Sequence, residues 1–301
     1  MPRLSAALGG PRLWIKRDDL TGFALGGNKV RKLEFLLADA LCERADTLLT
    51  AGSLQSNHAR VTAAAAAAAG LACHLVLSGS GLEPLLGNAA LDALLGATLH
   101  VVADPSARGP RLTRLAEELR RAGRKPYLIP LGGSVPLGAL GYVLALREVG
   151  EECERREIRL AAIVVGSSSG GTHGGLEAGR RLLGWNVRLV GVSADEPAPV
   201  LREASATLAR KALALLGRRE SVQPGQLTVL AEYAGDGYGT PTPASREAMA
   251  LFAQTEGIFL DPTYTAKAAA GLLDLVRRGA FRAGEDVLFW HTGGLPPLLP
   301  A

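Results

Sequence analysis

The chain has 301 residues, which is enough for one large domain or two modest ones. Hydrophobic residues make up 48% and charged residues 21%, a globular composition that excludes a disordered chain. The net charge of +4 comes without basic clusters interleaved with aromatic residues, so we expect no nucleic-acid partner.

The three cysteines and five histidines lie scattered along the chain. Their spacing matches neither a disulfide framework nor a metal site, so we expect no bound metal. The first ten residues lack the pattern of a signal peptide. The most apolar stretch, residues 61–77, is typical of a buried helix followed by a strand rather than of a membrane span. We therefore expect a cytoplasmic protein with no membrane partner.

Short β-rich runs alternate with helical patterns along nearly the whole chain. The predicted strands are 13–16, 47–50, 74–77, 99–103, 127–130, 161–165, 188–192 and 287–291. Helical spacing occurs between them, at 30–41, 59–69, 112–122, 139–154, 176–183, 246–254 and 267–276. This alternation predicts an α/β fold with open, mostly parallel sheets flanked by helices.

The strongest break in the middle of the chain is the segment 132–136 (GGSVP). The block before it, from about residue 46 to 127, contains four strand–helix units. This block could be a smaller lobe inserted into a larger one.

Four junctions between predicted elements carry unusual residues, and ligands of α/β sheets bind at such junctions. The first is the segment 26–29 (GGNK), which opens the helix predicted from residue 30. The positive end of a helix lowers the pKa of a lysine amine, and burial lowers it further, as a Schiff-base lysine requires. Lys29 is thus a candidate nucleophilic amine, although an exposed lysine beside a glycine turn is the plainer interpretation.

The second junction, residues 53–58 (SLQSNH), precedes a helix with seven consecutive alanines. One of Ser56 and Asn57 is expected to cap this helix. More polar side chains occur here than a cap needs, which indicates a binding role.

The third junction, residues 166–175 (GSSSGGTHGG), follows a buried strand. Its small residues and hydroxyls are suited to a phosphate-binding turn. It also contains a G-x-S-x-G motif centred on Ser168, the pattern of an α/β-hydrolase nucleophile. His291, in the fourth junction at 289–294 (FWHTGG), and either Asp261 or Asp274 would complete the triad order.

The hydrolase hypothesis leaves several of these features unexplained. It assigns no role to Lys29, to Ser56 and Asn57, or to the two loop tyrosines, Tyr238 and Tyr264. A pyridoxal-phosphate enzyme uses all of them, because it needs a Schiff-base lysine, a phosphate site, a partner for the pyridine nitrogen and polar groups for a substrate carboxylate. We favour this second hypothesis.

The sequence resembles the D-cysteine desulfhydrase and 1-aminocyclopropane-1-carboxylate (ACC) deaminase family, which has the tryptophan-synthase-β fold, or fold type II, of pyridoxal-phosphate enzymes. The segments that carry the resemblance are 15–20 (IKRDDL), 26–34 (GGNKVRKLE), 55–58 (QSNH), 170–173 (GGTH), 237–239 (GYG), 261–264 (DPTY) and 291–294 (HTGG). The resemblance implies two lobes, a large cofactor-binding lobe (1–43 and 138–301) and a small lobe (44–137), and it implies a homodimer.

The resemblance also implies a role for each matching residue. Lys29 would bind the cofactor as a Schiff base and act as the base at Cα, and Asn57 would bond to the ring oxygen of the cofactor. Ser56 would bind the substrate carboxylate and assist proton transfer, and Asn57 and His58 would also belong to the substrate site. The phosphate would be bound by Ser169, Gly170, Gly171 and Thr172, the pyridine nitrogen would face Thr292, and Tyr238 and Tyr264 would be the two active-site tyrosines.

Two positions distinguish the branches of this family. The deaminase pattern has glutamate after the second tyrosine and glutamine after the Ser-Asn pair, whereas this chain has Thr265 and His58. The resemblance therefore implies β-elimination from D-cysteine to pyruvate, sulfide and ammonia, with ACC deamination or elimination of sulfonate from cysteate as alternatives. The segment 78–88 looks shorter than in the desulfhydrases, which could change the substrate accepted.

Overall fold

The structure is a computed structural model that describes residues 1–79 and 86–294. The chain divides into two compact units. Unit 1 comprises Met1–Asn28 and Ala139–Ala301, and unit 2 comprises Lys29–Gly138. The boundaries expected for a large and a small lobe, and the cofactor-binding role expected for the large one, stay predictions.

The described residues form nine β-strands. They are β1 (Arg12–Arg17), β2 (Thr47–Ser53), β3 (Ala72–Ser78), β4 (Thr98–Val102), β5 (Pro126–Leu128), β6 (Leu160–Ser167), β7 (Arg188–Ser193), β8 (Thr228–Leu230) and β9 (Asp286–His291).

The same residues form ten α-helices. They are α1 (Pro2–Leu8), α2 (Asn28–Cys42), α3 (Asn57–Ala69), α4 (Gly87–Leu94), α5 (Arg108–Arg121), α6 (Pro136–Arg155), α7 (Gly171–Leu182), α8 (Ala198–Leu215), α9 (Pro243–Glu256) and α10 (Thr265–Arg277). Within residues 1–79 and 86–294, none of the helices combines the length and apolar character needed to cross a membrane.

Unit 1 is built on a five-stranded parallel sheet with the strand order β1-β9-β6-β7-β8. Side chains of β6 alternate between two cores, because Val164 packs in one apolar cluster and Ile163 and Val165 in another. In β9, Phe289 and Trp290 divide between the same two clusters. Both faces of the sheet are therefore buried, which explains why these strands are apolar without alternation.

Unit 2 contains a four-stranded parallel sheet with the order β4-β3-β2-β5. The central strand β2 contacts both α3 and α5. Six consecutive residues of α3, from Val61 to Ala66, are buried, and most of them are alanines. Small side chains on this helix permit close packing on the sheet.

The predicted α/β fold with two parallel sheets is confirmed. Each of the eight predicted strands is present, with ends that differ by a few residues. The structure adds the short edge strand β8 and the helices α1, α4 and α8, which are not among the elements predicted from the sequence. Most of the segment 78–88, expected to be short, lies outside the described residues, because 80–85 are not among them.

Candidate active site

The turn that leads into α2 is anchored on Asp18, a fully buried residue of unit 1. The backbone N–H of Gly27 donates to the Asp18 carbonyl oxygen over 2.7 Å. The Asp18 carboxylate accepts from the Trp290 indole at 2.7 Å and from the Tyr142 hydroxyl at 2.6 Å. The turn is thereby fixed to the end of β9 and to α6.

Asn28 ties this turn to two further elements of unit 1. Its backbone N–H donates to the Thr292 carbonyl oxygen at 2.8 Å, and its side-chain Nδ2 donates to the Thr172 Oγ1 at 2.9 Å. A Cβ at Gly293 would lie 2.5 Å from the Gly27 Cα, so the close approach of these two segments requires glycine there. Lys29, the first residue of unit 2, follows Asn28 directly in the chain.

Three lysines are shielded from solvent strongly enough that their pKa is lowered, and they differ in their partners. In unit 2, the Lys32 amine donates to the Gly132 carbonyl oxygen and to the Ser134 hydroxyl, both at 3.2 Å. In unit 1, the Lys267 amine donates to three carbonyl oxygens. The Lys29 amine makes no hydrogen bond or ion pair with any residue of 1–79 and 86–294, and desolvation lowers its pKa to about 8.

Ser56 ends the turn after β2 and caps α3, as expected for one of the polar residues here. Its Oγ accepts from the Ala59 N–H at 3.2 Å, and a Cβ at Gly52 would lie 2.6 Å from that Oγ. Gly52 thus makes room for the cap. Because the oxygen accepts, the hydroxyl hydrogen of Ser56 is left to donate elsewhere.

The Asn57 side-chain amide is oriented by two neighbours within unit 2. Its Oδ1 accepts from the Arg60 Nη1 and from the Asn88 Nδ2, both at 3.0 Å. A guanidinium can only donate, so the oxygen of Asn57 must face Arg60 and the amide nitrogen must face away. Asn57 therefore presents a hydrogen-bond donor, which suits an oxygen-bearing ligand.

His58 is buried and is neutral in this environment. Its Nε2 lies 2.9 Å from the Thr50 Oγ1, and that hydroxyl donates to the Ile129 carbonyl oxygen at 2.7 Å. The hydroxyl can then only accept from His58, so Nε2 carries the proton and Nδ1 is a buried acceptor without a partner among the described residues. Burial, together with the charges of Lys29 and Lys32, lowers the pKa of His58 well below its ordinary value.

The predicted phosphate-binding residues lie in the turn from β6 into α7: Ser169, Gly170, Gly171 and Thr172. Gly170 has a φ of 77°, and a Cβ there would approach the Ser205 nitrogen to 3.0 Å, so the turn requires glycine. The first N–H groups of a helix have no partner within the helix. The hydroxyls of Ser167 and Ser205 are buried and have no hydrogen-bond partner in the part of the chain that the structure describes. This turn therefore has the donors that a phosphate needs.

The two predicted active-site tyrosines are brought together in unit 1. The Tyr238 and Tyr264 hydroxyls lie 2.7 Å apart, and their rings meet edge to face. Desolvation, and then the neighbouring Tyr238, raise the pKa of Tyr264 well above its ordinary value, so that hydroxyl stays protonated. The Asp261 carboxylate fixes the start of α10 by accepting from the N–H groups of Tyr264 and Thr265.

The geometry does not support the serine-hydrolase alternative. The His291 Nδ1 accepts from the backbone N–H two residues further on, so its Nε2 carries the proton, which it donates to the Phe259 carbonyl oxygen at 2.8 Å. Both ring nitrogens are engaged, which leaves no lone pair to activate Ser168. The two candidate acids also bond elsewhere, Asp261 at the start of α10 and Asp274 with Tyr233 and Arg278.

Sequence reasoning missed four residues that support these side chains: Asn28, Arg60, Asn88 and Lys267. Asn28 had a local signal, because it adjoins Lys29 in the glycine turn. Asn88 acts on Asn57 from another helix, and no spacing in the sequence indicates that contact.

The fold and these groups are typical of a pyridoxal-phosphate enzyme. Comparisons with known proteins identify the same class independently. The sequence profile of the family described as "Pyridoxal-phosphate dependent enzyme" matches residues 1–293. The chain belongs to this family of pyridoxal-phosphate-dependent enzymes.

Among individual proteins, the chain is similar to the D-cysteine desulfhydrases of Salmonella schwarzengrund and Salmonella typhimurium. Each is 42% identical over 306 residues, which cover 99% of this chain and 91% of the relative. A solved structure described as an ACC deaminase homologue is 41% identical with a TM-score of 0.90, covering 98% of this chain and 88% of that one.

A more distant neighbour supports the fold alone. The fungal L-serine ammonia-lyase from Rhizomucor miehei is 16% identical with a TM-score of 0.70, covering 98% of this chain and 92% of its own. The predicted resemblance and the predicted fold type II are both confirmed.

The residues present fit pyridoxal phosphate, which is the cofactor of this enzyme. Beside the turn before α7, Ser167 at the end of β6 and Ser205 of α8 have buried hydroxyls without hydrogen-bond partners among the described residues, as expected beside a phosphate site. The Lys29 amine is unpaired within the same residues, with a pKa of about 8. A lysine of this kind can form a Schiff base, because much more of it is neutral near physiological pH than of an ordinary lysine.

Proposed function

We propose that the enzyme is a lyase that eliminates the β-substituent of a small amino acid, with D-cysteine as substrate and sulfide, pyruvate and ammonia as products. The observation that carries the proposal is the Lys29 amine, which alone of the three desolvated lysines has no partner among the described residues. The similarity to proteins named D-cysteine desulfhydrase supports the choice of substrate.

When bound, pyridoxal phosphate supplies an electron sink that makes the Cα–H bond of an amino acid acidic. We infer that Lys29 binds the cofactor and then takes this proton. A pKa of about 8 leaves roughly a tenth of the amine neutral at pH 7, compared with well under one part in a thousand for an ordinary lysine.

Ser56 and Asn57 would orient the two ligands. The Ser56 hydroxyl has its hydrogen left to donate, and the start of α3 favours a negative charge, so a substrate carboxylate suits this position. The Asn57 amide nitrogen, turned away from Arg60, would donate to the ring oxygen of the cofactor. Thr292 would face the pyridine nitrogen with a neutral hydroxyl, and Ser169 to Thr172 would bind the phosphate.

The tyrosine pair would protonate the leaving group. As the Cβ–S bond breaks, its electrons go to sulfur, and a tyrosine O–H supplies the proton that makes sulfide a good leaving group. Tyr264 carries this proton at neutral pH, since its pKa is raised well above its ordinary value, and it gives the proton up only as negative charge develops on sulfur. Water then hydrolyses the unsaturated amino acid to pyruvate and ammonia.

Deamination of ACC is the second candidate, favoured by the structural similarity to the ACC deaminase homologue. The deaminase pattern has a glutamate where this chain has Thr265. Here the Thr265 hydroxyl donates to the Asp261 carboxylate at 2.7 Å and completes the start of α10. The position thus supplies no acidic group, which supports elimination rather than opening of the cyclopropane ring.

We further propose that the enzyme works in the cytoplasm as a homodimer. All three cysteines are free thiols, which suits a reducing compartment. Light scattering of the purified protein would give twice the chain mass if the proposal is correct, and the chain mass if it is not.

A panel of substrates tests the proposed function. The cofactor-loaded enzyme should release sulfide and pyruvate from D-cysteine in equal amounts, faster than from L-cysteine or from cysteate, and little 2-oxobutyrate from ACC. Lys29→Ala is the matched control, and we expect it to release none of these products above background. Production of 2-oxobutyrate without sulfide would assign the enzyme to the deaminase branch and contradict the proposal.

A further inference from the structure

Lys267 is a fully buried lysine of α10 with a complete set of partners. Its amine donates to the carbonyl oxygens of Ala194, Ala234 and Gly237 at 2.7, 2.6 and 2.9 Å. An ammonium group has three N–H donors, so each one has its own acceptor. Burial lowers the pKa of Lys267, and the negative charges of Asp195 and Asp261 oppose that effect.

The three acceptors come from two different parts of unit 1. Ala194 directly follows β7, whereas Ala234 and Gly237 belong to the segment 231–242, which contains no helix or strand. Gly237 immediately precedes Tyr238, which is 48% exposed and packs edge to face against Tyr264. A segment of this kind opens easily unless polar contacts fix it.

The start of this segment has a separate anchor. Tyr233 bonds through its hydroxyl to Asp274, further along α10. That contact lies five residues before Tyr238. The residues next to Tyr238 are held by the hydrogen bonds of the Lys267 ammonium.

The sequence spacing on α10 explains how one helix can fix both tyrosines. Tyr264 lies at the first position before α10, and Lys267 follows three residues later. Residues three apart on a helix lie on the same face. Tyr264 is therefore positioned by the helix itself, and Tyr238 through the carbonyl groups that Lys267 binds on the same face.

We propose that Lys267 is a positioning residue that holds the segment 231–242 so that the Tyr238 hydroxyl stays within hydrogen-bond distance of Tyr264. The inference rests on the proposed function, in which this tyrosine pair protonates the leaving group. The ammonium acts through the backbone and makes no contact with substrate.

The first test compares Lys267→Met with Lys211→Met in the cofactor-loaded enzyme. Lys211 is an exposed lysine of α8 in the same unit, so its variant controls for loss of a lysine as such. We expect Lys267→Met to lower kcat for sulfide release by about 10²-fold, the low end of what one acid–base group contributes, with a small change in KM. Lys211→Met should behave as the wild type.

A double-mutant cycle shows whether Lys267 acts through Tyr238. Tyr238→Phe should lower kcat by a similar factor, and the double variant Lys267→Met/Tyr238→Phe should be no slower than the slower single variant. Multiplication of the two effects in the double variant would overturn the proposal, because it would mean that Lys267 acts by another route.

A second readout does not depend on activity. Amide hydrogen exchange over residues 231–242 should be faster in Lys267→Ala than in the wild type, and unchanged over β6 and β9. Ammonium or methylammonium ions at high concentration should slow this exchange and restore part of kcat in Lys267→Ala, because a small cation can bind the three carbonyl oxygens. Unchanged exchange in the variant would overturn the proposal.

Two outcomes separate this proposal from the proposed function. If the wild type releases no sulfide from any amino acid, the proposed function fails, and the exchange measurement still decides the role of Lys267. If both Lys267 variants fail to fold, the positioning role is overturned, because Lys267 then supports unit 1 as a whole.

Discussion

At the scale of single residues, the Lys29 amine differs from the other desolvated lysines in what surrounds it. Lys32 and Lys267 donate to carbonyl and hydroxyl oxygens, which occupies their hydrogens, although burial and the charge of Lys29 also lower the pKa of Lys32 well below its ordinary value. Lys29 has desolvation without compensation from any described residue, and its pKa falls to about 8. An amine of this kind costs stability while charged and is reactive when neutral, so we regard it as a functional feature.

The lowered pKa predicts how the cofactor-free protein takes up pyridoxal phosphate. Only the neutral amine attacks the aldehyde, so the rate should rise about tenfold between pH 7 and pH 9 and level off as the pKa of about 8 is passed. A lysine with an ordinary pKa would gain about a hundredfold over that range without levelling. The measurement is the appearance of the Schiff-base absorption band in stopped flow.

Two controls make this measurement decisive. A free lysine derivative measured alongside corrects for titration of the cofactor itself, and Lys29→Ala should show no band. A rate that keeps rising through pH 9 would contradict the low pKa.

The residue scale also shows where sequence reasoning ends. Lys29 could be singled out because it adjoins two glycines at a helix start. Nothing local marks Lys32 or Lys267 as buried, because their partners lie about a hundred and about thirty to seventy residues away. The tautomer of His58 likewise depends on Ile129, in a different loop.

At the scale of elements, the turn predicted to bind the phosphate depends on the junction of β6 and α7. Gly170 begins the turn into the helix with a positive φ and lies close against the Ser205 nitrogen of α8. A methyl group here would push the turn away from α8 and move the N–H groups at the start of α7. The cofactor phosphate should therefore be the part of the ligand that senses this position.

We expect Gly170→Ala to weaken binding of pyridoxal phosphate about tenfold or more, which corresponds to about 1.4 kcal/mol. Gly184→Ala is the matched control, because Gly184 follows the other end of α7 with a φ of 59° and open space where a Cβ would lie. Both variants lose about 1 kcal/mol of stability from backbone strain. Titration of the absorption band measures the affinity.

The same titration with pyridoxal, which lacks the phosphate, shows whether the effect is specific to the phosphate. Its affinity should be nearly the same for the wild type and Gly170→Ala. Equal weakening of both ligands would show that the turn does not bind the phosphate.

The strands that are buried on both faces are predicted best from the sequence. Strands such as β6 and β9 are apolar runs because both faces of the sheet are covered, and they were predicted within a few residues. The edge strand β8 has only three residues and carries no such pattern. The helix α8 begins beside prolines, which are not a specific helix signal. It packs closely on the turn before α7, where Ser205 lies near Gly170.

At the scale of the whole molecule, the resemblance in the motifs extends to the entire described fold. A TM-score of 0.90 at 41% identity means that the backbone is shared with the ACC deaminase homologue. Cofactor class and fold could therefore be predicted from the sequence. The choice of substrate depends on a few side chains, such as Thr265, and on how Asn57 and the tyrosines are supported by residues remote in the sequence.

The most direct test of the account identifies the lysine that binds the cofactor. Borohydride reduction of the loaded enzyme, followed by proteolysis and mass spectrometry, fixes the cofactor covalently to the lysine that holds it. Our account predicts a single pyridoxyl label on Lys29, the desolvated lysine with an unpaired amine among the described residues. A label on Lys32 or Lys267, or no covalent label in an enzyme that is active, would contradict it.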